Sequence, residues 1–288
     1  MTVERLELDE PSQAILREAR SLLRLKERKD AGQFLVEGRQ GVREALRLPG
    51  VVRWLFVRWS SAHDNVDLVE TARAAGVPVF ALSEQNLATL TDTVTPQGII
   101  AVAHTVDVSL AEVLATRPKD PAGEKRKHRR GDVALIVVCA QIRDPGNAGT
   151  VIRCADAFGA DAVVFSSDSV EVYNPKTVRA SVGSVFHLPI VTGADLAQTI
   201  DACRAAGLQV LATDGDAGTD LTDMEAELSR PTAWVMGNEA WGLPAEHLDL
   251  ADETVAVPIY GQAESLNLAT AAAICLYASA SAQRTSEA

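Results

Sequence analysis

The chain has 288 residues, of which 47% are hydrophobic and 23% are charged. These values exclude a disordered or fibrous protein and predict a globular chain of about two domains, each large enough to bury its own core. The formal net charge of -12 argues against a nucleic-acid partner when only the total is considered, because a polyanion repels a protein of the same sign at long range.

The charge is distributed unevenly along the sequence. Residues 1–106 contain 13 Lys and Arg against 14 Asp and Glu, 107–131 contain 7 against 4, and 132–288 contain 7 against 21. Within the first part, residues 17–58 contain 11 basic residues against 5 acidic ones. A basic surface there can hold a phosphate backbone, although a solvated helix face has the same pattern.

The first hundred residues alternate between helical and extended patterns. Ser12 is predicted to cap an Arg-rich helix that ends near Lys29, and a short strand over 34–36 ends at Glu37 and Gly38. A helix over 42–46, a strand over 54–57, a helix before Gly76 and strands over 77–81 and 99–103 follow. This pattern predicts an α/β domain over residues 1–106.

A basic linker is predicted over residues 107–131. The stretch RPKDPAGEKRKHRRG at 117–131 combines Pro, Gly and a basic cluster, Lys125–Arg130, without apolar periodicity. This cluster is either part of a soluble spacer or a contact for RNA phosphates.

A second α/β domain is predicted over residues 132–288. Residues 133–139 form a continuous β-branched apolar run, typical of a strand covered on both faces. A helix over 148–158, a strand over 162–166, a helix opening at Asn174, strands over 208–213, 234–236 and 254–257, and a nearly apolar last helix from Leu266 to about Ala280 follow. This alternation predicts a mostly parallel sheet whose ligands bind beyond the carboxyl ends of its strands.

The first of three unusual polar loops follows residue 139 and reads QIRDPGNAGTVIR (141–153). Asn147 stands at a helix start, where N-capping alone would explain it. Arg153 is a lone cation in an otherwise largely apolar helix, and such a charge needs a partner or a task.

The second and third loops follow the strands over 234–236 and 254–257. In the second, Gly237 lets a ligand approach the backbone and Glu239 is a carboxylate at the end of a buried strand. In the third, Ser265 and Asn267 open an apolar helix, and capping by Ser265 is the alternative explanation.

Other kinds of site have no support in the sequence. It contains no dinucleotide glycine fingerprint, no phosphate loop and no metal cluster. Four widely spaced cysteines in apolar or helical stretches indicate buried thiols in a reducing compartment: Cys139, Cys154, Cys203 and Cys275. The charged N-terminus and the lack of a long apolar run predict a cytoplasmic protein that does not enter a membrane.

Three motifs in register carry a family resemblance. They are NAGTVIR (147–153), MGNEAWG (236–242) and VPIYGQAESLN (257–267), and together they resemble the signature motifs of the SpoU/TrmH family of RNA ribose 2'-O-methyltransferases, in the SPOUT superfamily. The resemblance covers about residues 133–281 and includes NPKTVRASVGSVFHLP (174–189). Residues 1–106, with FLVEG (34–38), resemble the small ribosomal-protein-like α/β domain that binds RNA substrate in this family.

The resemblance implies a deep trefoil knot in the second domain, an exception to the usual unknotted topology. It also implies that S-adenosyl-L-methionine binds in the knot and that the protein is a homodimer through the knotted domain. The backbone of Gly237, Val257 and Leu266, with Met236 and Ile259, would line the cofactor pocket.

The resemblance also assigns roles to the polar residues. Arg153 would act as the base for the 2'-hydroxyl or stabilise the developing alkoxide, and the second role is physically easier because arginine is almost never neutral. Asn147, Glu239, Ser265 and Asn267 would orient Arg153 and the ribose. Arg179 would contact an RNA phosphate.

The leading hypothesis is therefore methyl transfer to structured RNA, with 23S rRNA favoured over tRNA and with resistance to a ribosome-targeting antibiotic as an additional role. An RNA-binding ribosome-assembly factor without catalysis is the alternative from another class, although intact Arg153, Glu239 and Asn267 count against it. An α/β oxidoreductase lacks its glycine fingerprint. No metal is expected.

Overall fold

The computed structural model describes residues 8–115, 133–238 and 240–285. Most of the predicted linker, including Lys125–Arg130, and the predicted site residue Glu239 lie outside the described residues. The chain forms two compact units: the residues up to Val106 join with Tyr173–Phe186, and those from Asp107 to Val172 join with the residues from His187 onward.

The helices and strands follow one another in an alternating order. The helices are α1 (Gln13–Ser21), α2 (Leu25–Ala31), α3 (Arg39–Leu46), α4 (Val66–Ala74), α5 (Glu84–Leu87), α6 (Leu110–Ala115), α7 (Pro145–Phe158), α8 (Pro175–Ser181), α9 (Leu196–Ala205), α10 (Ala245–Leu248) and α11 (Leu268–Thr285). The strands are β1 (Gln33–Glu37), β2 (Val52–Arg58), β3 (Val79–Leu82), β4 (Ile99–His104), β5 (Leu135–Cys139), β6 (Ala162–Ser166), β7 (Ile190–Ala194), β8 (Gln209–Thr213), β9 (Thr219–Asp220), β10 (Thr232–Met236) and β11 (Glu253–Ala256).

The first unit is a four-stranded sheet with helices around it. Its strand order is β1-β4-β2-β3, with β4 antiparallel to both neighbours and β3 parallel to β2. Ser12 caps α1 as predicted, since its side chain accepts a hydrogen bond from the amide of Ile15 at 3.3 Å. The prediction of one helix as far as Lys29 is wrong, because the helix ends at Ser21 and α2 begins separately at Leu25.

The segment Tyr173–Phe186 supplies aromatic side chains to the core of the first unit. The ring of buried Phe34, on β1, lies 4.5 Å from the ring of Tyr173 and 6.0 Å from that of Phe186, measured between centroids. The Tyr173 hydroxyl accepts a hydrogen bond from the amide of Val106 at 2.9 Å. Residues that the sequence assigned to the second domain therefore complete the core of the first unit.

The second unit contains a seven-stranded sheet in the order β7-β6-β5-β10-β8-β11-β9. Every neighbouring pair is parallel, so the predicted parallel sheet is confirmed. All five residues of β5 are buried, as expected for a β-branched strand covered on both faces.

The last helix, α11, packs against α7 and is tied to the edge of the sheet where strands begin. The buried indole of Trp234 donates to the hydroxyl of Ser279 at 2.9 Å, and the Gln283 amide donates to the carbonyls of Ala134 and Arg230. Its buried face is made mainly of small residues such as Ala272. No helix in the described parts of the chain is both long and apolar enough to cross a membrane.

Candidate active site

The polar loops of the second unit lie at one edge of the sheet. β5, β10, β8 and β11 are consecutive neighbours in a parallel sheet, so their carboxyl ends meet at the same edge. The three predicted loops follow β5, β10 and β11. A fourth connection, after β8, reaches the same edge, where the amide of Asp214 donates to the carbonyl of Val255 at 3.1 Å.

The loop after β5 is held by two serines that the sequence reasoning missed. The hydroxyl of Ser166 accepts from the amide of Gln141 at 3.1 Å, and that of Ser169 accepts from Ile142 at 3.2 Å and donates to the carbonyl of Cys139 at 2.9 Å. Gln141 has a φ of 59°, a conformation unusual for a residue with a side chain. The only sequence signal was the polar run SSDS (166–169) directly after a buried strand.

The asparagine pair, Asn147 and Asn267, connects the loops after β5 and β11. The Asn267 amide nitrogen donates to the Asn147 side-chain oxygen at 3.0 Å. Asn147 is not the N-cap of α7, because Asp144 has that role and accepts from the backbone amide of Asn147 at 2.9 Å. The capping explanation for Asn147 is therefore wrong, and its side chain is directed to a residue 120 positions away.

Asn267 is also the residue that caps α11. Its side-chain oxygen accepts from the amides of Ala269 at 2.9 Å and Thr270 at 3.3 Å. The predicted helix start at Leu266 and the alternative of capping by Ser265 are corrected: α11 begins at Leu268, and the exposed Ser265 lies in the coil before it. A single amide group thus fixes the helix start and the link to Asn147.

The loop after β10 folds back on itself around Gly237. Asn238 and Gly242 exchange two backbone hydrogen bonds of 2.8 and 3.0 Å, and the Asn238 side chain donates to the carbonyl of Gln141 at 2.8 Å. A Cβ on Gly237 would lie 2.5 Å from the carbonyl carbon of Gly242 and 2.7 Å from the amide nitrogen of Leu243. A glycine is required at this position because the protein's own backbone, rather than a ligand, occupies the space where a side chain would lie.

Arg153 lies in the middle of α7, on an exposed part of its surface. Its guanidinium forms no hydrogen bond or ion pair with any other residue in the described part of the chain. The sequence predicted either a partner or a task for this cation, and the structure provides no partner among those residues. A charged group in this state is available to a ligand.

The predicted cofactor-lining residues differ in exposure. Met236 is fully buried, Val257 and Leu266 are half-buried, and Ile259 is exposed. The coil over 257–266 makes no backbone–backbone hydrogen bond with any residue that the structure describes. Its peptide N–H and C=O groups therefore remain available, and such a donor and acceptor set fits the adenine and amino-acid groups of S-adenosyl-L-methionine.

None of the four cysteines forms a disulfide bond, and burial raises the pKa of three of them. Cys139, Cys203 and Cys275 are buried and Cys154 is half-buried. Burial raises the pKa of Cys203 to about 11 and that of Cys275 to about 12. Burial also raises the pKa of Cys154, an effect that the neighbouring Arg153 charge opposes. Within the described ranges, no group of His, Cys, Asp and Glu has the arrangement of a metal site.

Arg179, the predicted phosphate contact, lies on α8 in the first unit and has two carboxylate partners there. Its guanidinium lies 3.2 Å from Glu37 and 2.7 Å from Asp92. A phosphate would have to compete with both carboxylates for this group. Contact between Arg179 and RNA stays a prediction.

Most cations of the basic stretch 17–58 also have partners within the first unit. The buried Arg28 donates to the carbonyls of Leu22 and Leu23 at 2.9 and 3.0 Å. Ion pairs with acidic residues of the same unit are formed by the paired arginines, Arg24, Arg39, Arg43, Arg47, Arg53 and Arg58. The exposed Lys26 and Lys29 on α2 form none with a described residue.

Comparison with known proteins agrees with this arrangement. Residues 134–277 match the SpoU rRNA Methylase family, and residues 14–101 match the MRM3-like substrate binding domain. The 23S rRNA (guanosine(2553)-2'-O)-methyltransferase RlmP of Bacillus subtilis is 36% identical over 88% of this chain and 90% of its own length.

Two solved structures are similar over nearly the whole chain. The AdoMet-bound rRNA methyltransferase from Sinorhizobium meliloti has a TM-score of 0.75 and 29% identity, and the match covers 94% of this chain and 96% of that one. The SpoU methyltransferase AviRb from Streptomyces viridochromogenes, in complex with AdoMet, has a TM-score of 0.76 and 31% identity, with 95% and 100% covered. On this evidence the chain belongs to the SpoU rRNA methylase family.

Proposed function

We propose that this chain is an S-adenosyl-L-methionine-dependent methyltransferase that modifies a ribose 2'-hydroxyl of 23S rRNA. The observation that carries the proposal is the contact between the loops that contain the family motifs at one sheet edge, where Asn267 bonds to Asn147 at 3.0 Å and Asn238 bonds to the carbonyl of Gln141 at 2.8 Å. Relatives named as 23S rRNA 2'-O-methyltransferases support the substrate, and AdoMet-bound relatives support the cofactor.

The coil 257–266 and the loop after β10 would hold the cofactor. When bound, S-adenosyl-L-methionine supplies an electrophilic methyl group on sulfur. The free peptide groups near Val257 and Leu266 would supply hydrogen bonds, and the exposed Ile259 side chain would pack against the cofactor. The buried Met236 and the crowded Gly237 would support the lining from behind. The link between Asn238 and Gln141 keeps the loops after β10 and β5 together while the cofactor binds.

Arg153 acts on the ribose. Its guanidinium is a permanent cation with five N–H donors, so it stabilises negative charge on the 2'-oxygen as the hydroxyl proton leaves. The proton passes to solvent, because the exposed guanidinium holds its own protons. The asparagine pair fixes the start of α7 relative to α11, and Ser265 and Glu239 are assigned to orienting the ribose.

The finer features of the family are also part of the proposal. The second unit contains a deep trefoil knot and forms a homodimer through the surface of α7 and α11. This surface exposes Ile274 and Tyr277, and the Tyr277 ring lies 5.7 Å from that of Phe158. Exposed apolar groups on neighbouring helices favour a partner that removes them from water.

The division of labour follows the two units, whose bounds differ from the predicted ones because Tyr173–Phe186 belongs to the first unit and α6, inside the predicted linker 107–131, to the second. The first unit binds RNA, and the second unit carries out catalysis in the cytoplasm. The match of residues 14–101 to the MRM3-like substrate binding domain supports substrate binding by the first unit, and the relatives named as 23S rRNA methyltransferases favour rRNA as that substrate. A protective role against a ribosome-targeting antibiotic is tested by drug susceptibility of a strain that lacks the gene.

A methyl-transfer assay tests the proposal. Purified protein with labelled S-adenosyl-L-methionine should methylate 23S rRNA from a strain that lacks the enzyme, and primer extension at limiting nucleotide should show one stop. Arg153→Ala should lower kcat at least about 100-fold while calorimetry shows an unchanged cofactor affinity. The matched control is Arg230→Ala, at an exposed arginine of the same unit. Loss of cofactor binding in Arg153→Ala would contradict the assigned role.

A further inference from the structure

A cleft of about 200 Å³ with both polar and apolar lining residues opens in the first unit at the end of β1. Its walls come from three parts of the unit: the β1–α3 turn, the loop before β4, and α8 with the residue after it. The lining residues used below are Glu37, Thr93, Thr95, Gln97 and Arg179.

Glu37 is a nearly buried carboxylate, and only one of its two oxygens accepts hydrogen bonds from residues that the structure describes. Its side chain is only 8% exposed. One oxygen, Oε2, accepts hydrogen bonds from the hydroxyls of Thr91 at 2.6 Å and Thr93 at 2.9 Å, and from Arg179 at 3.2 Å. The other, Oε1, has no hydrogen-bond partner among the residues that the structure describes. Oε1 is not fully enclosed by protein, so the cleft presents a carboxylate acceptor that a ligand can reach.

The charge of the cleft determines what kind of group fits. Arg179 is the cation among the described lining residues, and it is shared between Glu37 and the neighbouring Asp92, so these three groups carry a net negative charge. A phosphate is disfavoured beside two carboxylates, whereas a neutral group with an N–H donor gains a charge-assisted hydrogen bond to Oε1.

Gln97 supplies the complementary donor. Its side-chain oxygen accepts from the backbone amide of Arg39 at 3.0 Å, which leaves its NH₂ group as the free end. Gly38 makes this contact possible, since its φ is 96° and a Cβ there would lie 3.2 Å from the same oxygen. No described residue accepts a hydrogen bond from the NH₂ group.

We infer that this cleft binds an unstacked nucleobase of the substrate RNA, with a base N–H donating to Glu37 Oε1 and a base carbonyl accepting from the Gln97 NH₂ group. Guanine, cytosine and uracil carry both an N–H donor and a carbonyl, whereas adenine has no carbonyl. Proteins read single-stranded RNA by bonding to the edges of splayed bases, and carboxylates accept from base amino groups. The inference rests on the proposed function, because it takes the ligand to be part of the RNA that is methylated.

A substitution that fills the cleft with a bulky side chain tests the inference, and the same substitution at the adjacent residue outside the cleft is its control. Thr95→Phe places a ring at an exposed residue of the cleft wall. Val94→Phe adds the same ring one residue away, at a side chain that is 97% exposed and outside the cleft. With 23S rRNA from the strain lacking the enzyme as the probe, Thr95→Phe should raise the RNA dissociation constant roughly tenfold, and Val94→Phe should not. Both should keep the wild-type Tm and cofactor affinity.

Chemical footprinting identifies the class of ligand. Wild-type protein should protect a guanine, cytosine or uracil Watson–Crick edge outside the methylated nucleotide, and Thr95→Phe, Gln97→Ala and Glu37→Gln should each remove that protection. Equal RNA affinity of the two phenylalanine variants, or protection of backbone riboses without any base, would overturn the inference.

The two proposals fail in different ways. Absence of methyl transfer by the wild-type protein refutes the proposed function, while the footprint still reports on the cleft. Normal methyl transfer by a wild-type protein that protects no base refutes nucleobase binding in the cleft but does not contradict the proposed function.

Discussion

Replacing Gly237 by alanine should destabilise the second unit because the new Cβ meets backbone atoms rather than flexible side chains. It would lie 2.5 Å from the Gly242 carbonyl carbon and 2.7 Å from the Leu243 nitrogen. Relief requires the loop to move, which breaks the two backbone bonds between Asn238 and Gly242. At about 1 kcal/mol per bond, with about 1 kcal/mol or more of residual crowding, the free energy of unfolding falls by about 3 kcal/mol.

Thermal unfolding and calorimetry with S-adenosyl-L-methionine measure the effect of this substitution. A loss of this size lowers the Tm of a unit of this length by roughly 6–12 °C. Cofactor affinity should fall as well, because the displaced loop carries Asn238 and its bond to Gln141. Gly218→Ala is the control, since a Cβ there meets nothing within 4 Å. If Gly237→Ala unfolds at the same temperature as the control and binds the cofactor equally well, the crowding argument is refuted.

Three further predictions concern other parts of the molecule. Asn267→Ala should lower the free energy of unfolding by about 2 kcal/mol, because it removes both the cap of α11 and the hydrogen bond to Asn147. Asn147→Ala removes only that hydrogen bond and should lower the free energy of unfolding by about half as much. Equal losses for the two variants in chemical denaturation would contradict the capping role of Asn267. Replacing Lys26 and Lys29 together by Gln should reduce the slope of the logarithm of the RNA association constant against the logarithm of the salt concentration by up to about 2, because two cations without an ion-pair partner among the described residues are lost. Neutralising two of the paired arginines should change this slope less. A thiol reagent at pH 8 should modify Cys154 before Cys275, because burial raises the pKa of Cys275 to about 12 and keeps that thiol protonated. Mass spectrometry of the native protein measures the order of modification, and modification of Cys275 first would contradict the role of burial.

Local patterns predicted the elements whose cause is local. The apolar β-branched run of β5 predicted a strand buried on both faces, and the alternation that follows it predicted a parallel sheet. The motif residues 147 and 267 were predicted to act at one site, and their side chains are in contact. The N-cap of α7 was harder to predict, because Asp144 and Asn147 lie three residues apart and both are residue types that commonly cap a helix.

Features that depend on distant residues were not predictable from local patterns. Nothing near Phe34 indicates that its ring packs against Tyr173 and Phe186. The partners of the basic stretch were hidden for the same reason, since the acid paired with Arg39 lies 28 residues away at Asp67. Charge counts therefore overstated the cations available to RNA, because ion pairs within the unit already involve most of them.

The exchange of Tyr173–Phe186 into the first unit has a consequence for how this chain is synthesised and divided. During translation the core around Phe34 stays incomplete until Phe186 has left the ribosome, although the rest of that unit ends at Val106. An engineered protein cut after residue 106 would lack part of its own core, and one that begins at residue 132 would expose Tyr173 to water. Exchange of the first unit between relatives must therefore transfer two stretches of sequence, one of which is flanked on both sides by residues of the second unit.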